Sequence, residues 1–111
     1  MGRLKVGKEG ERLAQQFLLK RGYKILEKNF RTPFGEADII AKYKDSIVIV
    51  EVKTRKTEVF GEPKLAVNYS KQMKLRKIAL YYLHKLQKEL PVRFDVISIK
   101  NGEIEHIENA F

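Results

Sequence analysis

A chain of 111 residues is long enough to bury one core and too short for two, and a 43% hydrophobic, 33% charged composition is that of a globular domain. With no cysteine it has no disulfide, no thiolate nucleophile and no cysteine-ligated zinc. Lysine and arginine number 23 against 14 acids, a net charge of +9, and the excess lies before residue 93, because Asp95, Glu103, Glu105 and Glu108 outnumber Arg93 and Lys100 beyond it. Such a field suits a polyanionic partner, most simply nucleic acid, although a lysine-rich solvated surface gives the same count. No apolar run approaches the roughly 18 residues of a membrane span. The basic N-terminus lacks a following apolar segment, so a cytoplasmic protein is expected.

Residues 6–21 read as a helix, with Leu13, Ala14, Phe17 and Leu18 on one face and Gly22 placed to end it. Glu11 falls at the edge of that face, where it either overlooks a sheet or serves as an ordinary first-turn acid. Residues 23–30 follow as a less regular strand, and residues 29–35 as a loop whose Arg31 is a candidate phosphate contact.

Residues 35–41 and 47–53 are two β-branched runs separated by Lys44-Asp45, the pattern of antiparallel strands joined by a tight turn. Alternation puts Ile47, Ile49, Glu51 and Lys53 on one face of the second strand. An acid and a lysine on an otherwise apolar strand are costly to bury unpaired. The hairpin can bring the Asp38 carboxylate beside that of Glu51. Two converging carboxylates repel unless a cation lies between them, which is the donor set of a magnesium site.

Residues 54–64 have neither helical nor strand period, and Arg55 and Lys56 make them a candidate grip on a nucleic-acid backbone, or simply a surface loop. Ser70 is the expected N-cap of a helix reaching about Leu90, with Pro91 as its stop. Its expected apolar stripe is Met73, Leu80 and Leu83, joined by Tyr69, Ile78, Ala79 and Leu86, and Lys71 and Lys74 lie in its first turns. Gln72 stands where its amide can reach a carboxylate or a phosphate, and Tyr81 and Tyr82 read as packing and surface residues rather than a stacking platform. A strand over 92–100, the hairpin signal Asn101-Gly102 and an acidic edge strand over 103–107 complete the chain. His84 and His106 match no metal spacing, and Asp95 reads as a structural acid. The whole is one domain over 1–111, in the order α-β-β-β-α-β-β.

This arrangement resembles the core of the PD-(D/E)xK nuclease superfamily. Asp38 matches its first metal-binding acid and Glu51-Val52-Lys53 its ExK element, while Ala37 stands where the naming proline would be. Glu11 matches the extra helix acid of members similar to archaeal Holliday-junction resolvases, and Gln72 the polar residue of the second helix. A closer resemblance is to the small bacterial YraN-type family, carried by Gly10-Glu11, Gly22-Tyr23, Asn29 with Arg31, Gly35-Glu36 with Asp38, Glu51-Val52-Lys53 with Arg55, Phe60-Gly61, Lys71 and Arg93-Phe94-Asp95-Val96.

The resemblance implies a restriction-endonuclease-like α/β core with a mixed central sheet flanked by helices. It implies Mg²⁺ or Mn²⁺ held by Asp38, Glu51 and the Val52 carbonyl, catalysis involving Glu11, Asp38, Glu51, Lys53 and Gln72, and hydrolysis of DNA, branched or otherwise structured. Arg31, Arg55, Lys56, Lys71 and Lys74 would position the phosphate backbone, and symmetric cutting of a junction would call for a homodimer. The alternatives are a nucleic-acid-binding module that does not cleave, and a metal-free ion-pair network of Asp38, Glu51 and Lys53.

Overall fold

The computed structural model describes residues 2–55 and 67–111, with side chains from residue 7 onward. Its elements are α1 (Gly2–Lys20), β1 (Lys24–Thr32), β2 (Gly35–Tyr43), β3 (Ser46–Arg55), α2 (Tyr69–Leu86), β4 (Val92–Lys100) and β5 (Glu103–Ile107), the expected order. The five strands form one mixed sheet in sequence order, antiparallel except for the parallel β3–β4 pair. A parallel neighbour requires a crossover, and α2 lies within it. Among the described residues no helix is long and apolar enough to cross a membrane.

Local chemistry sets the turns. Gly22 (φ +88°) closes α1, with the Tyr23 N–H reaching the Leu18 carbonyl and the Gly22 N–H that of Leu19, the paired bonds of a Schellman ending. Strand β1 continues to Thr32, past the loop expected from residue 29, and the β1–β2 connection shrinks to Pro33-Phe34. The Thr32 hydroxyl holds it, donating to the Gly35 carbonyl at 2.9 Å and accepting from the Phe34 N–H at 3.0 Å. Asn101 (φ +51°) and Gly102 (φ +80°) both take the left-handed conformation that a two-residue hairpin favours.

Each face of the sheet carries its own apolar layer. Ala14 and Leu18 of α1 pack on Ile39, Ala41, Val48, Val50, Ile97 and Ile99. On the other face Leu75, Ile78, Ala79 and Tyr82 of α2 cover Ile40, Ile47, Ile49, Phe94 and Val96. This corrects the expected stripe of α2. Tyr69, Met73 and Leu80 are exposed, because the helix carries two apolar stripes and the sheet takes the one built on Leu75. The N-cap is Asn68, not Ser70: its side chain accepts the Lys71 N–H at 2.9 Å. The helix ends at Leu86, four residues early, on a left-handed Gln87.

Candidate functional site

Strand β3 is apolar until Glu51, which is 3% exposed on the α2 side of the sheet. Its ladder with β2 runs from Tyr43↔Ser46 to Ile39↔Val50. One step further Asp38 would face Glu51, but there the Asp38 side chain replaces the ladder, its Oδ2 accepting the Val52 N–H at 2.8 Å. The strands part and the two carboxylates meet in the opening, as the hairpin pattern predicts. In an extended strand a residue's N–H and C=O lie on the same side, so the Val52 carbonyl faces this opening too.

The electrostatics are those of a crowded acid. Burial, then hydrogen bonding and repulsion from Asp38, push the Glu51 carboxyl up to about 8, and Lys71 and Lys53 pull it only partly back. Lys71 Nζ stands 3.3 Å from Glu51 Oε2. That contact lacks hydrogen-bond alignment, and the buried Oε2 has no hydrogen-bond partner among the described residues. The same ammonium lies 3.5 Å from the Glu36 carbonyl, tying the start of α2 to the start of β2. Lys53, half-buried two residues beyond Glu51, completes the basic side of the opening.

Glu11 is not a first-turn acid, since α1 begins at Gly2. It sits half-buried mid-helix, and burial and the negative charges of Asp38 and Glu36 push its carboxyl up while an Asn29 hydrogen bond and Lys8 oppose them. Gly10 permits this close docking, because a Cβ there would stand 2.1 Å from Thr54 Oγ1. Asn29 was not among the expected site residues. Its signal was a residue type that tolerates the left-handed region (φ +49°) in a run that otherwise reads as a strand end.

The other expected residues divide. The Gln72 amide is engaged by the backbone ahead of the helix, donating to the Val67 carbonyl at 3.0 Å. Arg31 pairs across the hairpin with Glu36 at 3.2 Å and is 85% exposed. Lys74 lies exposed along α2, its Cδ near Gly35, and Arg55 ends β3. Lys56 lies outside the described residues. Among those residues no three acidic or histidine side chains converge into a metal cage. Asp38 and Glu51 are a pair of hard oxygen donors, one with an unsatisfied oxygen, and such a pair fits a hydrated Mg²⁺ or Mn²⁺, which commonly keeps several waters and binds through one or two carboxylates.

A second acid is fully buried on the other face of the sheet. Asp95 accepts two hydrogen bonds from Arg93, at 2.8 and 2.7 Å, and one from the Asn109 N–H at 3.0 Å, and its Oδ2 lies 2.7 Å from His106 Nε2. Arg93 also donates to the Tyr23 hydroxyl, and Tyr23 stacks on Tyr43 with centroids 4.3 Å apart. The structural role expected of Asp95 fits this cluster.

Residues 10–99 match the uncharacterised protein family UPF0102. The chain belongs to this family. A UPF0102 protein of Thermodesulfovibrio yellowstonii is 66% identical over 111 residues, covering 100% of this chain and 99% of its own. Others from Persephonella marina and from Caldanaerobacter subterraneus subsp. tengcongensis are each 49% identical, over 95% and 96% of this chain and 91% and 93% of theirs. The UPF0102 match spans Glu11, Asp38, Glu51, Lys53 and the start of α2, so the opening between β2 and β3 lies within the family's common region.

Proposed function

We propose that this UPF0102 protein is a metal-dependent phosphodiesterase acting on DNA, with branched or otherwise structured DNA as the expected substrate. The observation that carries the proposal is the buried Glu51 carboxylate, held beside Asp38 with an oxygen that, among the described residues, no aligned donor satisfies. Burying two acids together destabilises a fold unless a cation offsets them. The α-β-β-β-α-β order, with the acids on the second and third strands, supports a restriction-endonuclease-like core.

Asp38, Glu51 and the Val52 carbonyl would hold Mg²⁺ or Mn²⁺, which when bound polarises a phosphoryl oxygen and acidifies its water. Lys53, on the same face as Glu51, offsets negative charge growing on the phosphoryl oxygens. Glu11, steadied by Asn29, orients a water at the far side of the opening. Lys71 offsets part of the charge at Glu51 and, with Lys74 and Arg55, holds the phosphate backbone. Arg31 serves the backbone once released from Glu36. Cutting both strands of a junction symmetrically would take two copies of the chain.

The contact between Lys71 and Glu51 also favours a second reading, a nucleic-acid-binding module whose site is closed by its own ammonium. A labelled panel of four-way junction, flap, single strand, duplex and RNA, with Mg²⁺, Mn²⁺ or chelator, separates the two. Metal-dependent cutting lost in Glu51→Ala and Lys53→Ala supports the nuclease. Salt-dependent binding with no cutting on any substrate overturns it in favour of the module.

A further inference from the structure

Helix α2 links the candidate site to a second feature. Lys71 beside Glu51 begins a line along the helix that continues through the exposed Lys74, Tyr81 and Lys85, at steps of three, seven and four residues. At about 1.5 Å per residue, Tyr81 lies about 15 Å along the helix from Lys71. There the tip of the β1–β2 hairpin approaches the helix, and Phe34, Lys77, Leu80, Tyr81, His84 and Lys85 line a cleft of about 530 Å³. That is within the range of small-ligand clefts, roughly 300–1,000 Å³.

The chemistry of the cleft is specific. Phe34 is 43% and Tyr81 40% exposed, so both rings offer surface to solvent despite their edge-on contact at 6.4 Å. Lys77 Nζ stands over the Phe34 ring at 5.9 Å and Lys85 Nζ over Phe30 at 5.2 Å. Among the described residues no acid lines the cleft. Exposed rings interleaved with ammonium groups are what an unpaired nucleotide strand needs: a π-face for each base and a cation for each phosphate. A duplex hides its base faces and gains nothing from the rings.

From this we infer that the cleft between the β1–β2 hairpin tip and α2 is a stacking subsite for unpaired bases. The preferred nucleic acid therefore carries a single-stranded segment, which runs from the opening at Glu51 along Lys71 and Lys74 to Phe34 and Tyr81. The inference rests on the nucleic-acid reading of the site and deepens it from DNA in general to strands with unpaired bases.

The test is equilibrium binding in chelator, so that cleavage plays no part. A fluorescent oligothymidylate and a duplex of equal length are titrated against the wild-type chain, Phe34→Ala, Tyr81→Ala and Tyr81→Phe. Each alanine variant is expected to weaken single-strand binding about tenfold, the scale of one lost base stack, and to leave duplex binding and the salt slope unchanged. Tyr81→Phe is expected to bind as wild type, and Lys77→Ala to lower the salt slope by about 0.7, one phosphate contact. Equal losses on single strand and duplex, or no loss in either alanine variant, overturn the subsite. So does sedimentation showing a wild-type dimer that Tyr81→Ala dissociates, which would make this face a contact between copies. If oligothymidylate binds as expected while no substrate is cut, the nuclease reading falls and the subsite stands.

Discussion

Glu51 and Asp95 are both buried acids on adjacent strands, and the chain treats them in opposite ways. Burial would raise the Asp95 carboxyl, but hydrogen bonds from His106, Arg93 and the Asn109 N–H outweigh it and hold the group below the usual carboxylate range. Glu51 suffers the same burial, has another carboxylate for a neighbour, and is pushed up to about 8. The difference lies in the partners, since one acid is surrounded by aligned donors, and the other faces a competing carboxylate that two ammonium groups offset only in part. A satisfied buried charge holds a structure in place, whereas an unsatisfied one marks a candidate functional site.

The comparison breaks most sharply under substitution. On the proposed nuclease reading, Glu51→Gln removes an oxygen that would hold the metal and should cut turnover by more than the roughly 10–100-fold typical of an outer residue, while urea denaturation in chelator should show stability equal to or above wild type. Asp95→Asn should do the reverse, costing about 3 kcal/mol by leaving Arg93 half-buried and uncompensated, with residual activity following the folded fraction. Equal destabilisation by both variants would erase the distinction.

The two acids also predict opposite responses to pH. Asp95 has a folded pKa below its unfolded value, so its stabilisation is full above the unfolded value of about 3.9 and lost as pH falls through the folded one. Glu51 has a raised pKa, so the chain is favoured below the ordinary 4.5 and loses that stability as pH rises toward about 8. Thermal melts in chelator should therefore fall from mildly acidic to mildly alkaline pH in wild type, less so in Glu51→Gln, and Mg²⁺ should reduce the fall. A smaller effect is expected at Gly10. Gly10→Ala drives a Cβ onto Thr54 Oγ1 and should cost about 1 kcal/mol, recovered by adding Thr54→Ala.

Much of this was legible in the chain. The alternation of residues 47–53 and the Lys44-Asp45 turn were enough to set Asp38 beside Glu51, because antiparallel register leaves no other place for them. Helix α2 misled because its apolar residues form two stripes, and periodicity alone does not say which one a sheet will cover. The sequence starts α2 at a Ser70 cap, whereas Asn68 supplies the cap and brings the Val67 carbonyl within reach of the Gln72 amide, a bond that spacing within the helix does not reveal. The Asp95 cluster joins residues from β4, β5 and the segments around Tyr23 and Asn109, a convergence that spacing along one strand does not reveal.

The parallel β3–β4 pair has a consequence for the order in which the molecule assembles. Strands β1, β2 and β3 are neighbours in sequence and close through tight turns, whereas Ile47 must wait for Val92 to return from beyond α2. Local contacts close quickly and distant ones late. On this topology Asp38 and Glu51 should meet in an early meander, before the crossover that delivers Lys71 docks. Their repulsion then works against the folding nucleus rather than against the finished protein alone. Refolding of wild type should accelerate with added Mg²⁺ and that of Glu51→Gln should not, a difference that stopped-flow mixing would read directly.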